Sequence, residues 1–286
     1  MTEQNKLEVV EVHPKVWMFK HPPCVDALED TFNEALQLMD ESKHTAAIDV
    51  FRTIIDKCPQ FLAAYYNLAL AIENYLIENK PTDPDEEKRF RDTKFVILAV
   101  GYDEALKALP EGFVDTLDNQ LPWSIEENRP FLQLFKALNE EMLNRGYVEE
   151  ALNGFYRLLL YNPDDEQYIR GYIVWCNFEL NHPEDVLRIC DLYSNDTTPD
   201  LLYGRPLALL QLGRKAEATH TLEVATSLNP RIGKELLKKR HTKPKSQGVP
   251  PGSREEAYVY WQEYGRFWEA TEGALDLLAQ CMKGSS

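Results

Sequence analysis

The sequence predicts an all-α fold, an α-solenoid of about six helical hairpins, and three features of its 286 residues carry that prediction. Large apolar residues recur at helical period through most of the chain, the mark of helices with one buried stripe. Alanine and glycine fall at matching places along those stripes, and proline closes the pairs. The punctuation also returns on a fixed spacing: Pro163 and Pro230 stand 67 residues apart, close to twice a repeat of about 34.

Taken in order, residues 1–23 hold two β-favouring clusters, Leu7 to Val12 and Val16 to Phe19, interrupted by Pro14 and ended by Pro22 and Pro23. They predict an extended N-terminal arm that docks Trp17 and Phe19 on the first helices. Residues 24–282 then form the solenoid. Leu28, Phe32, Ala35, Leu36 and Met39 make one stripe, Ala47, Ile48, Phe51, Ile54 and Ile55 its partner, and Pro59 ends the unit. Helices that cross closely need a small side chain at the contact, which is the role of Ala47. The next helix opens at Leu62 with Tyr65, Leu68 and Ala69 inward. Its partner, Lys94 to Leu109, is delayed by a charged, proline-bearing insertion near 80–93, read as a loop. A second irregular insertion, near 113–127, includes Pro122 and Trp123, and loops of this length tend to be functional. Asn128 is a cap for the following helix, with Pro130 in its first turn.

The clearest unit is Leu132 to Pro163. Phe135, Leu138, Met142, Phe155 and Leu158 are its apolar anchors, Gly146 turns the chain and Ala151 lets the two helices meet. Two more units follow, about 166–198 and 199–232. Pro206 falls inside a helix of the second and should kink it or delay its start. A short helix at Ile232 to Arg240 runs into a third irregular stretch, the proline- and glycine-rich loop near 241–252. Ser253 with Glu256 forms a capping box that opens a last pair, Ser253 to Tyr264 and Arg266 to Cys281, with Gly265 as its turn. Tyr258, Trp261, Tyr264, Phe267 and Trp268 close the stack, and residues 283–286 are a disordered tail.

Composition narrows the function. With 44% apolar residues the chain buries a sizeable core, and wholesale disorder is excluded. A formal charge of −16, from 47 acidic against 31 basic residues, argues against nucleic acid as the main ligand. The exception is Lys234 to Lys245, KELLKKRHTKPK, which reads as a solvated helix end and loop. The five cysteines, Cys24, Cys58, Cys176, Cys190 and Cys281, are odd in number and scattered. They fit reduced thiols without a disulfide framework, and hence a cytoplasmic protein. No stretch is long and apolar enough for a membrane span, and no secretory leader is evident.

The hairpins at about 28–61, 62–112, 132–165, 166–198, 199–232 and 253–282 resemble tetratricopeptide repeats, and Leu132 to Pro163 most closely. The resemblance implies a right-handed superhelix whose concave groove, lined by the first helix of each pair, receives a peptide or helix of a partner protein. Carried onto this sequence, the groove positions fall at Tyr66, Asn67, Asn74, Gln133, Lys136, Gln167, Arg170 and Tyr203. Their amides suit a peptide main chain and their aromatics suit side chains. A carboxylate clamp for chaperone tails would need lysine and asparagine where Phe32 and Leu36 stand; only Asn67 matches. The tail, from Leu228-Asn-Pro-Arg-Ile232 through Gly252–Ala257 to Glu272–Leu278, is also similar to the end of the suppression-of-tumorigenicity protein seven family and related bacterial repeat proteins.

For chemistry the sequence offers little. The six histidines show no metal-ligand spacing, and His21 with Cys24 is the nearest approach to a pair. There is no phosphate loop, nucleophile elbow or Cys-x-x-Cys. Glu126, Glu127, Asp164, Asp165 and Glu166 read as helix N-terminal charges rather than acid/base groups. The expectation is a non-enzymatic scaffold with no catalytic residue, metal or cofactor. The alternatives are an enzyme whose site lies in the non-repeat loops, using His241 and nearby lysines, and a regulator that touches nucleic acid through 234–245.

Overall fold

The computed structural model describes residues 6–113, 116–245 and 248–284. Its fold is an all-α solenoid of helical hairpins with one two-stranded sheet. The chain divides into two compact units, Met1–Ile169 and Arg170–Ser286.

In the N-terminal unit, β1 (Glu8–His13) pairs antiparallel with β2 (Val16–Lys20) around a turn in which Lys15 takes φ +70°. The arm is therefore a hairpin, and it docks elsewhere than on the first helices. Phe19 is fully buried against Phe131, 5.0 Å between rings, and Trp17 meets Phe113 edge-on at 5.5 Å. The buried Asn128 fastens it: its Oδ1 accepts from the Phe19 N–H at 3.0 Å, and its Nδ2 donates to the carbonyls of Trp17 (3.0 Å) and Pro122 (3.2 Å). The side chain expected to cap a helix is thus spent as a latch, and the helix that follows has no side-chain cap.

Three hairpins follow the short helix α1 (Pro23–Asp26): α2 (Glu29–Asp40) with α3 (His44–Lys57), α4 (Leu62–Asn79) with α5 (Pro84–Leu106), and α6 (Arg129–Asn144) with α7 (Val148–Tyr161). Ala47 is fully buried at the first contact. The loop expected near 80–93 shrinks to the few residues between Asn79 and Pro84. Lys80, at φ +42°, ends α4, and Asp83 accepts from the Asp85 N–H at 3.0 Å to start α5, with Pro84 at N1 and three carboxylates in the first turn. Those features complement the N–H groups left open at a helix start. A disulfide joins Cys24 of α1 to Cys58 at the end of α3. The expectation of five reduced thiols fails there, and with it that argument for a reducing compartment. Cys176, Cys190 and Cys281 are free and buried.

In the C-terminal unit, α8 (Ile169–Glu179) and α9 (Pro183–Leu192) form one hairpin, and α10 (Pro199–Gln211) and α11 (Lys215–Leu228) the next, turned by Gly213 at φ +72°. Pro206 stays inside α10. After α12 (Pro230–Leu236) come α13 (Arg254–Ala270) and α14 (Ala274–Gly284). Ser253 caps α13 as expected, accepting from the Glu256 N–H at 3.0 Å, while Glu256 reaches the Gly252 N–H at 2.8 Å. Gly265 is not the turn. It is buried within α13, where a Cβ would lie 2.7 Å from Cδ1 of Trp261, and the turn is Gly273 at φ +72°. Of the expected tail, Lys283 and Gly284 are helical, and Ser285 and Ser286 lie outside the described residues. No helix among the described residues is long and apolar enough to cross a membrane.

Candidate functional site

The sequence-predicted groove residues of the N-terminal unit come together on adjoining helices. Tyr66, Asn67 and Asn74 lie along α4 and Gln133 and Lys136 along α6, all half-buried. Asn67 turns its Nδ2 back to the Ala63 carbonyl at 2.8 Å, and Lys136 pairs with Glu140 one turn on, at 3.6 Å. Burial pushes the Tyr66 phenol up, and the charge of Glu140 on α6 adds to it. Sequence reasoning missed Leu70 and Ile77, which share the outward face of α4 with Tyr66 and Asn74. They are 37% and 59% exposed. Their spacing from Tyr66, four and eleven residues on, is the signal that finds them once the helix direction is known.

On the same face of α4, Glu73 belongs to an ion network that links α4, α5 and α6. Lys94 of α5 donates to Glu73 of α4 at 2.7 Å and lies 2.8 Å from Glu141 of α6, whose side chain is only 4% exposed. Arg145 joins Glu141 at 3.0 Å and Asp92 at 3.0 Å, with its guanidinium over Phe95. Burial alone lowers the Lys94 pKa, but the bonds to Glu141 and Glu73 outweigh it and raise the net value. Removing one member of such a network leaves a buried charge uncompensated, at a cost of about 3–5 kcal/mol.

The remaining groove residues fare differently. Gln167 lies in the turn before α8 and not on a helix face. Arg170, at the start of α8, is engaged by Asp196 and stacks over Tyr193 at 5.2 Å. Tyr203 is fully buried; its hydroxyl donates to the Asn229 carbonyl at 2.7 Å and its ring meets Tyr260 and Trp268 of α13. It lines no open groove. In this unit α13 itself packs across α8 and α10. The Tyr264 hydroxyl reaches the Gly171 carbonyl at 3.4 Å, Phe178 stacks on Phe267 at 5.5 Å, and Arg266 pairs with Glu179. Of the aromatic cluster expected to close the stack, Tyr264, Phe267 and Trp268 pack on α8 and α10, while Trp261 stacks on His241 and Tyr258 meets Trp261.

His241 is also committed. Its ring lies flat on Trp261, 3.6 Å away, and its Nδ1 is 3.1 Å from the buried Glu235. The acidic clusters sit at helix starts: Asp165 accepts from the Ile169 N–H at 2.6 Å, and Glu166 from Asn162 at 2.8 Å. His21 bonds the Glu127 carbonyl at 3.2 Å, and burial lowers its pKa, while Cys24 is in the disulfide. Among the described residues no three His, Cys, Asp or Glu side chains are grouped to hold a metal. A cleft of about 560 Å³ opens between α9, α10 and α11, but its cations are paired, Arg205 with Asp191 at 2.7 Å and Arg214 with Glu217 at 2.6 Å.

No protein-family model matches the sequence, and no curated protein matches it. Solved structures do resemble the fold. A tetratricopeptide repeat protein from Parabacteroides merdae aligns over 91% of this chain and 87% of its own, with a TM-score of 0.50 at 13% identity. YrrB, described as a tetratricopeptide repeat protein with an unusual peptide-binding site, aligns over 72% of this chain and 92% of its own, with a TM-score of 0.45 at 15% identity. The likeness of the tail to the suppression-of-tumorigenicity protein seven family finds no support among these matches. With its helical hairpins, buried small residues at their crossings and glycine turns, the chain is a protein of tetratricopeptide-repeat fold.

Proposed function

We propose that this chain is a non-enzymatic interaction scaffold that holds a peptide or helix of a partner protein against the α4–α6 face of its N-terminal unit. The observation that supports this reading is the grouping of Tyr66, Asn74, Gln133 and Lys136 on the adjoining helices α4 and α6, with the exposed Leu70 and Ile77 on the same face of α4. Asn74 and Gln133 supply amides suited to a peptide main chain, and Lys136 and Glu140 add charge for register. The network of Lys94, Glu73 and Glu141 keeps the two helices at a fixed spacing, so little conformational freedom has to be lost on binding. The face on α8 and α10 is filled by α13, which leaves the N-terminal unit as the place for a guest.

The test is affinity purification from the native cell with mass-spectrometric identification, comparing wild type with Leu70→Asp/Ile77→Asp. A partner recovered with wild type should bind the variant at least about thirtyfold more weakly, the loss expected of a central apolar anchor. Identical partner sets for the two proteins would refute the assignment of the face.

A further inference from the structure

We propose that the segment from Lys234 to Lys245 is a docking site for an acidic peptide segment of a partner protein. The excess negative charge of the chain is confined to one unit: Met1–Ile169 carries 32 acidic against 16 basic residues, and Arg170–Ser286 carries 15 of each. Within the balanced unit, seven of the fifteen cations fall between Arg231 and Lys245, with Glu235 as the one acidic residue among them. That carboxylate is buried and already engaged by Lys238 and His241. Lys234, Lys239, Arg240, Lys243 and Lys245 are exposed, and among the described residues none of the five lies within ion-pair distance of a carboxylate. A cation near the last turn of a helix is explained by the helix dipole. Only Lys234 has that explanation, because α12 ends at Leu236.

The segment is also fastened within its length, and the chain is held again beyond its end. Near its middle, His241 is clamped between Trp261 and Glu235; past its end, Gly252 is held through its carbonyl by Arg231 at 2.6 Å and through its N–H by Glu256 at 2.8 Å. The Trp261 indole can lie along α13 because Gly265 leaves room for it. Pre-ordering of this kind lowers the entropy lost on binding. An extended polyanion such as a nucleic acid or a charged bilayer brings many negative groups to a chain of net charge −16. A short run of Asp and Glu engages the five cations alone, within a screening length of about 8 Å.

The experiment is fluorescence anisotropy of a labelled ten-residue Asp/Glu peptide against the full chain. Parallel arms use single-stranded DNA of equal charge and phosphatidylserine vesicles. Saturable peptide binding is expected, weakening about tenfold between about 50 and 200 mM salt and lost in Lys239→Glu/Arg240→Glu/Lys243→Glu/Lys245→Glu. All four positions are exposed, so the variant should keep the wild-type circular dichroism. Leu70→Asp/Ile77→Asp should bind the peptide as wild type does, which separates this site from the α4–α6 face. Equal peptide binding by wild type and the charge-reversed variant, or tighter retention of DNA or vesicles than of peptide, would overturn the proposal.

Discussion

At the scale of single residues, the least expected exchange is at the crossing of α6 and α7. Sequence pattern put Ala151 there as the small residue, and it is indeed fully buried. A second crossing residue, Gly154, was not anticipated. It faces the buried Asn139, whose Nδ2 donates to the Phe135 carbonyl at 2.8 Å, and a Cβ at position 154 would fall 1.9 Å from Asn139 Oδ1. Neither helix can yield without breaking that bond or shifting backbone. Gly154→Ala should therefore destabilise the N-terminal unit by about 1–3 kcal/mol, despite the better helix propensity of alanine. Urea unfolding checks this, and a neutral or stabilising result would mean that Asn139 finds another rotamer. Asn128 shows the opposite limit of reading. An asparagine before Arg-Pro has the signature of a helix cap, but three main-chain partners supplied by β2 and by Pro122 compete for its amide, and they are invisible locally.

At the scale of elements, helix existence was legible and helix boundaries were less so. The run Asp83-Pro-Asp-Glu-Glu87 looks like a loop if charge and proline are weighed by composition, and like a helix start if they are weighed by position. The structure follows position. The same lesson applies to α13: Gly265 read as a turn from repeat spacing, whereas Ser253 and the unbroken aromatic stripe of Tyr260, Tyr264 and Trp268 favoured one long helix. The packing of α13 on α8 and α10 also traps a carboxyl group. Asp200 is packed near Tyr260, Tyr264, Glu263, Arg170 and Asp196, and burial is the largest cause holding its pKa above the ordinary value, despite the Tyr264 hydroxyl. A raised carboxyl pKa in the folded state gives stability that is fully present below the unfolded pKa of about 4 and is lost as pH rises through the folded value. Asp200→Asn removes that loss. Thermal unfolding at acid and neutral pH should show the variant gaining on wild type as pH rises; a constant difference would mean that Asp200 is not desolvated by α13.

At the scale of the whole molecule, the hairpin order could be read from the sequence because each repeat contacts mainly its neighbours, so local pattern carries most of the fold. What lay outside that pattern is long-range: the latch on the β-hairpin, the covering of α8 and α10 by α13, and the pairing of Cys24 with Cys58. Of the groove residues expected from the repeat register, Tyr66, Asn67, Asn74, Gln133 and Lys136 lie on the adjoining helices α4 and α6, while Tyr203 is buried because a later helix claims its side of α10. The disulfide gives this scale its own test. It closes a loop of 34 residues entirely within the N-terminal unit and ties α1 to the end of α3. Loop-closure entropy assigns such a link about 3–4 kcal/mol through the unfolded chain. Because each unit has its own core, reduction should act on one of them only. Calorimetry with and without reductant should show a single transition moving down by several degrees while another stays in place, and Cys24→Ser/Cys58→Ser should reproduce the reduced profile without reductant. If both transitions move together, the two units unfold as one cooperative block, and the gain from the link is shared across the chain.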